Sequence, residues 1–161
     1  MINKKMYFIW HEGKYILSGT TEDEDIRNVP KQGYGICEIA AWLATDLPTG
    51  IDSVNVWINN LTDLENSRSP NGMFGIGNAH WVLVTNNYVF IGTEYVEGQQ
   101  VLINKEQLLF ILRKYKDCLE GIYKDRYNPP EPINVELIAE GQEAIDLYNG
   151  LEGSHQVPYA C

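Results

Sequence analysis

The chain has 161 residues, enough for one domain with a sizeable core and no covalent staples. Its hydrophobic content of 44%, with four Trp and ten Tyr, excludes a disordered polymer. Acids outnumber bases 22 to 12, and the net charge of −10 argues against binding to nucleic-acid phosphates or to an anionic membrane surface.

The first apolar run, Met6 to Trp10, is too short for a signal sequence or a membrane span, and no other stretch approaches the length of a span. The chain opens on Met1 and a strand-like segment and reads as a free-standing product. Cys37, Cys118 and Cys161 are odd in number and lack tight spacing. That pattern fits neither a disulfide framework nor a CxxC metal site, and it points to a reducing cytoplasm. No cofactor motif stands out. The histidines His11, His80 and His155 share no metal-ligand spacing.

The segment KKMYFIWHEGKYILSG predicts a hairpin turning at Glu12-Gly13. Residues 36–47 carry Ile36, Ile39, Ala40, Leu43 and Leu47 at helical spacing, with Pro48 and Gly50 as stops. SVNVWI, residues 53–58, alternates and predicts a strand. Residues 59–78 read as a long polar loop, and Gly72, Gly75 and Gly77 within it as sources of flexibility. Residues 81–84 and 88–91 predict a hairpin closed by Asn86-Asn87, and residues 100–103 a further strand. Asn104 is placed to cap a helix through Leu119, with Gly121 as its stop. NPPEP, residues 128–132, predicts a stiff extended linker, followed by a last amphipathic segment over residues 140–147. The expected fold is α+β: a mainly antiparallel sheet of four to six strands with helices packed on one side. The expected organisation is a domain over residues 1–127, with residues 128–161 as a Pro-rich linker and acidic segment packed on it or extending from it.

Two constellations carry chemistry. In the first, Gly35-Ile36-Cys37 opens a helix, where unpaired N–H groups and the dipole favour a thiolate. His80 begins a strand and is a candidate base. Glu94 at the end of the paired strand is a candidate orienting group, and Gln32 a candidate oxyanion donor. Across residues 32–95 this arrangement resembles the papain-like and transglutaminase-like cysteine enzymes. The resemblance implies a cysteine-dependent hydrolase or deamidase. Those families more often use Asp or Asn as the third member. The competing reading is a small core cysteine and a satisfied histidine.

The second constellation is the charge map. From Glu131 to the last residue there are six acids and no Lys or Arg; from Asp46 to Asn104 there are again six acids, with Arg68 the sole base. One-signed regions of this kind steer a basic protein partner. Glu136, Glu140, Glu143 and Asp146, together with Glu94 and Glu97, are the candidate contacts. In size, acidity and its sheet-then-helix ending, VTNNYVFIGTEYVEGQQVLINKEQLLFILRKY, the chain resembles bacterial toxin-immunity proteins. The resemblance implies a cytoplasmic inhibitor that neutralises a cognate basic toxin, with no catalytic residues. The binding reading is favoured over the enzyme reading.

Overall fold

A computed structural model describes residues 1–20, 35–47, 50–63, 72–76, 80–85, 87–93 and 99–151. In chain order these form β1 (Ile2–His11), β2 (Lys14–Ser18), α1 (Gly35–Asp46), α2 (Ile51–Thr62), β3 (Gly72–Ile76), β4 (Trp81–Thr85), β5 (Tyr88–Gly92), β6 (Val101–Asn104), α3 (Lys105–Leu119), β7 (Ile133–Glu140) and α4 (Gly141–Asn149). The seven strands make one sheet in the order β2-β1-β7-β6-β5-β4-β3, and every pairing is antiparallel. The class is α+β, as the sequence predicts.

Strand alternation sorts the core into two layers. Val82, Val84, Val89, Ile91, Val101, Ile103, Val135 and Leu137 face the main core beneath α1, α2 and α3. Their neighbours Leu83, Phe90 and Leu102, with Ala139, face a smaller core closed by Ala144, Ile145 and Tyr148 of α4. Most of the helical mass therefore lies on one side, and α4 adds a short layer on the other. Central strands β4 to β6 are apolar on both faces because both faces are covered.

Glu12 and Gly13 have φ of 49° and 87° and close the first hairpin, with His11 opposite Lys14. Two residues in left-handed conformation match the twist of the flanking strands. The second hairpin pairs Thr85 with Tyr88. Asn104 Oδ1 accepts from the Glu106 N–H at 2.9 Å at the start of α3. Asn104→Ala is expected to cost about 1 kcal/mol, read from a urea midpoint. An unchanged midpoint would show that water caps the helix equally well.

Three expectations are corrected. Residues 53–58 are helical, within α2, because Val54, Trp57, Ile58 and Leu61 recur at i, i+3, i+4 and i+7 and pack towards α3. The loop expected over residues 59–78 holds the end of α2 and the strand β3, whose register shifts between Met73 and Gly75. Gly72 and Gly75 thus belong to a bulged edge strand and not to a loop. Residues 133–140 form β7, paired with β1 on one side and β6 on the other, so the chain beyond NPPEP supplies an interior strand.

The contact between α3 and α1 has a pH dependence. The Tyr115 hydroxyl donates to the Leu43 carbonyl at 3.1 Å. Burial raises the Tyr115 pKa, helped by neighbouring Cys118. Burial, and then Asp117, push the Cys118 thiol from 9.0 up to about 12. Both groups hold their protons more tightly in the folded chain, so above pH 9.0 the unfolded chain binds fewer protons. Stability is therefore expected to fall as pH rises from 9.0 towards about 12. Urea midpoints taken across that range check this, and Cys118→Ala should flatten the decline. A flat profile in the parent chain would mean that both groups are hydrated.

Candidate functional sites at one sheet end and on α4

Helix α1 meets the sheet at the end where β4 and β6 begin and where β5 and β7 finish. Its apolar stripe, Ile36, Ile39, Trp42 and Leu43, is buried against the main core. Its first N–H groups need acceptors from elsewhere. The Gly35 N–H donates to Glu140 Oε2 at 2.5 Å, and Lys4 Nζ lies 3.8 Å from Glu140 Oε1. A Cβ on Gly35 would sit 2.8 Å from Val101 Cβ and 3.1 Å from Glu140 Cγ. The residue must be glycine for the helix to come this close.

Cys37 follows in the first turn and is 9% exposed. It packs against Gly19, where a Cβ would lie 2.9 Å from Cys37 Sγ and 3.1 Å from its main-chain N. The stretch after β2 therefore runs directly against the start of α1.

Glu38, the next residue, is the group that sequence reasoning missed. Its Oε1 lies 2.9 Å from His80 Nε2, and the two side chains are 1% and 4% exposed. The pair is close, yet Glu38 Oε1 accepts no well-aligned hydrogen bond. Burying a carboxylate and an imidazole costs several kcal/mol unless both are fully satisfied. The signal was in the sequence: Glu38 stands four residues before Trp42, inside the apolar stripe of a helix.

Among the described residues, six polar side chains are buried: Thr20, Glu38, His80, Thr85, Thr93 and Gln100. Five gather at this end of the sheet; Thr85 lies at the other. Gln100 is tied in through its carbonyl, which accepts from the Gly141 N–H at 2.7 Å. Gly141 has φ of 63° and turns the chain from β7 into α4.

The structure thus brings Cys37 and His80 to one helix end, with Glu38 as the residue against the imidazole. A carboxylate set against an imidazole is the arrangement that orients a histidine side chain for proton transfer. Gln32, Glu94 and Glu97 lie outside the described residues. Among the described residues, no three of His, Cys, Asp and Glu are grouped to hold a metal ion, and no helix is long and apolar enough to cross a membrane.

The acidic candidates divide in two. Glu140 is turned inward, 7% exposed, as an anchor for Gly35 and Lys4, so it is not part of an acidic surface. Glu143 and Asp146 are exposed on the outer side of α4, where the Asp146 carboxylate accepts from the Gln142 amide at 2.9 Å. Leu147 is 44% exposed beside them. Glu136 is exposed on β7, alternating with the main-core residues Val135 and Leu137, and so on the same side of the sheet as α4. Lys5, opposite Asn134, is a base on that side.

Comparison with protein-family models, with curated proteins and with solved structures gives no match.

Proposed function

We propose that the chain binds and neutralises a basic protein, acting as the cytoplasmic immunity protein for a cognate toxin. The observation that carries this reading is the α4 side of the sheet. Glu136, Glu143 and Asp146 are exposed there, Leu147 offers an apolar contact, and the chain from Glu131 to Leu151 contains no Lys or Arg. A surface with an excess of acids, here offset only by Lys5 on β1, accelerates encounter with an opposite charge, while an apolar contact inside a polar rim slows departure. Acids on a rigid helix can pair with the lysines and arginines that such a toxin would otherwise turn towards phosphates.

The test is an association series against a panel of immobilised basic toxin domains. For a cognate domain the on-rate should fall by roughly tenfold or more between low and high salt. Glu143→Lys with Asp146→Lys should remove most of that dependence and leave the melting temperature within a few degrees. An on-rate indifferent to salt and to both reversals would rule out this surface.

A second reading rests on the buried Glu38–His80 pair beside Cys37: a cysteine-dependent hydrolase or deamidase. Cys37 Sγ would attack an acyl carbon, His80 would take the thiol proton and pass it to the leaving amine, and water would then cleave the thioester. Iodoacetamide labelling across a pH series, read by mass spectrometry, separates the two readings. Cys118, with its thiol pushed up to about 12, is an internal control that should stay unlabelled until the chain unfolds. Rapid labelling of Cys37 well below the ordinary thiol range would favour the enzyme. If Cys37 is as inert as Cys118, the enzyme reading falls.

A further inference from the structure

β1 is longer than either of its partners. On one edge β2 pairs with its second half, Tyr7 to His11; on the other edge β7 pairs only with its first half, Ile2 to Met6. Among the described residues, no strand pairs with Tyr7–Trp10 on the β7 edge. In an antiparallel ladder alternate residues direct their N–H and C=O groups to each edge, so this half-strand presents main-chain donors and acceptors with no described strand beside them.

The sequence shows why β7 stops. The last pair is Met6 with Ile133. Continued backwards, the register would set Pro132 opposite Tyr7, Pro130 opposite Ile9 and Pro129 opposite Trp10. Prolines have no N–H to give to a ladder. The chain's own segment is thereby kept from closing this edge, and a groove of about 450 Å³ remains there. That volume is within the range of ligand sites.

The walls are set in advance. The groove is lined by Tyr7–Trp10 of β1 and Tyr15 of β2, together with Arg126, Tyr127 and Pro129. The Tyr15 hydroxyl donates to the Asp125 carbonyl. The Asp125 carboxylate accepts from the Tyr127 N–H at 2.9 Å and from Asn128 Nδ2 at 2.6 Å. These bonds, the Asn128 one first, hold the Asp125 carboxyl below its ordinary pKa. The Arg126 guanidinium stacks 5.1 Å from the Tyr127 ring centroid, and Tyr127 is 79% exposed. Tyr and Arg are enriched among the anchor residues of interfaces, and here an open aromatic stands beside a guanidinium.

We propose that this groove is a docking site for an extended peptide of a partner protein, which continues the line of β7 along Tyr7–Trp10. Its main chain pairs with the open edge of β1, an apolar side chain lies against Tyr127, and a carboxylate meets Arg126. This is strand addition, in which main-chain bonds give affinity and side-chain contacts give selectivity. It is independent of the acidic surface on α4.

The test uses the full chain, labelled with nitrogen-15, and the blocked peptide acetyl-Thr-Val-Phe-Val-Glu-amide as probe. Saturable amide shifts centred on Tyr7–Trp10 and on Arg126–Tyr127 are expected. A backbone N-methylated probe should bind at least about tenfold more weakly, since it cannot complete the ladder. Replacing the probe's glutamate by glutamine, or Arg126→Ala in the protein, should weaken binding about three- to tenfold. Pro129→Val with Pro130→Val and Pro132→Val should let the chain's own segment pair with β1 and exclude the probe. Absence of saturable shifts, shifts centred elsewhere, or equal binding of the N-methylated probe would each overturn the proposal.

Discussion

His80→Ala is expected to destabilise the fold by about 3–5 kcal/mol, because it leaves the buried Glu38 carboxylate without the imidazole that lies 2.9 Å from it. Glu38 is 1% exposed, so water cannot readily replace the lost imidazole. Urea unfolding near neutral pH measures the loss. The informative companion is the double replacement Glu38→Leu with His80→Phe. It removes both costs of burial at once and should come out near the parent stability, or above it. Should His80→Ala cost less than about 1 kcal/mol, the pair would have to be hydrated and its burial would carry no functional meaning. Should the double variant be stable but inactive in whichever assay the partner or substrate provides, the pair is retained for function at the expense of stability.

Gly35→Ala is expected to cost about 3 kcal/mol, at the upper end for overpacking. The new methyl would stand 2.8 Å from Val101 Cβ and 2.9 Å from its Cγ2. A β-branched side chain on an interior strand cannot rotate out of the way. The helix would have to rise off the sheet, stretching the Gly35–Glu140 bond and parting Glu38 from His80. Val101→Gly in the same chain, which removes both Cβ and Cγ2, should cost less in the Gly35→Ala background than in the parent, a coupling that distant sites do not show. If the two substitutions add independently, α1 does not sit on Val101 as described.

Much of the architecture was legible because the period of the apolar residues matches the elements. The hairpin turn at Glu12-Gly13 and the Asn104 cap declare themselves by residue type, and Asn86, at the predicted second turn, lies outside the described residues. The failures are equally physical. SVNVWI alternates over six residues, and only a window reaching Leu61 exposes the helical spacing of Val54, Trp57, Ile58 and Leu61. INVELIAE is a clear strand, with Ile133, Val135, Leu137 and Ala139 buried in alternation, but the prolines before it suggested a linker. Those prolines mark where the strand begins. At the candidate site, Cys37 and His80 were legible as residue types with known chemistry. The partner Glu38 was hidden because one acid among 22 has no local mark beyond its place on an apolar stripe. Glu140 was misassigned for a related reason: charge in a sequence does not reveal which way a side chain turns at the end of a strand.

The position of β7 has a consequence for biosynthesis. The hairpin of β1 and β2 leaves the ribosome before the other described elements, yet among the described strands it joins the rest of the sheet only through β7, the last of them. Until residues 133–140 have cleared the exit tunnel, β1 and β6 are two open edges with a strand-wide gap between them. Over that interval the nascent chain is exposed to mispairing, and closure waits on contacts far apart in sequence, which fold slowly. By the same logic, the exposed connection after α3 is where the chain could be cut into two pieces. The shorter piece, carrying β7 and α4, would be drawn back into the gap as the missing slat of a blind.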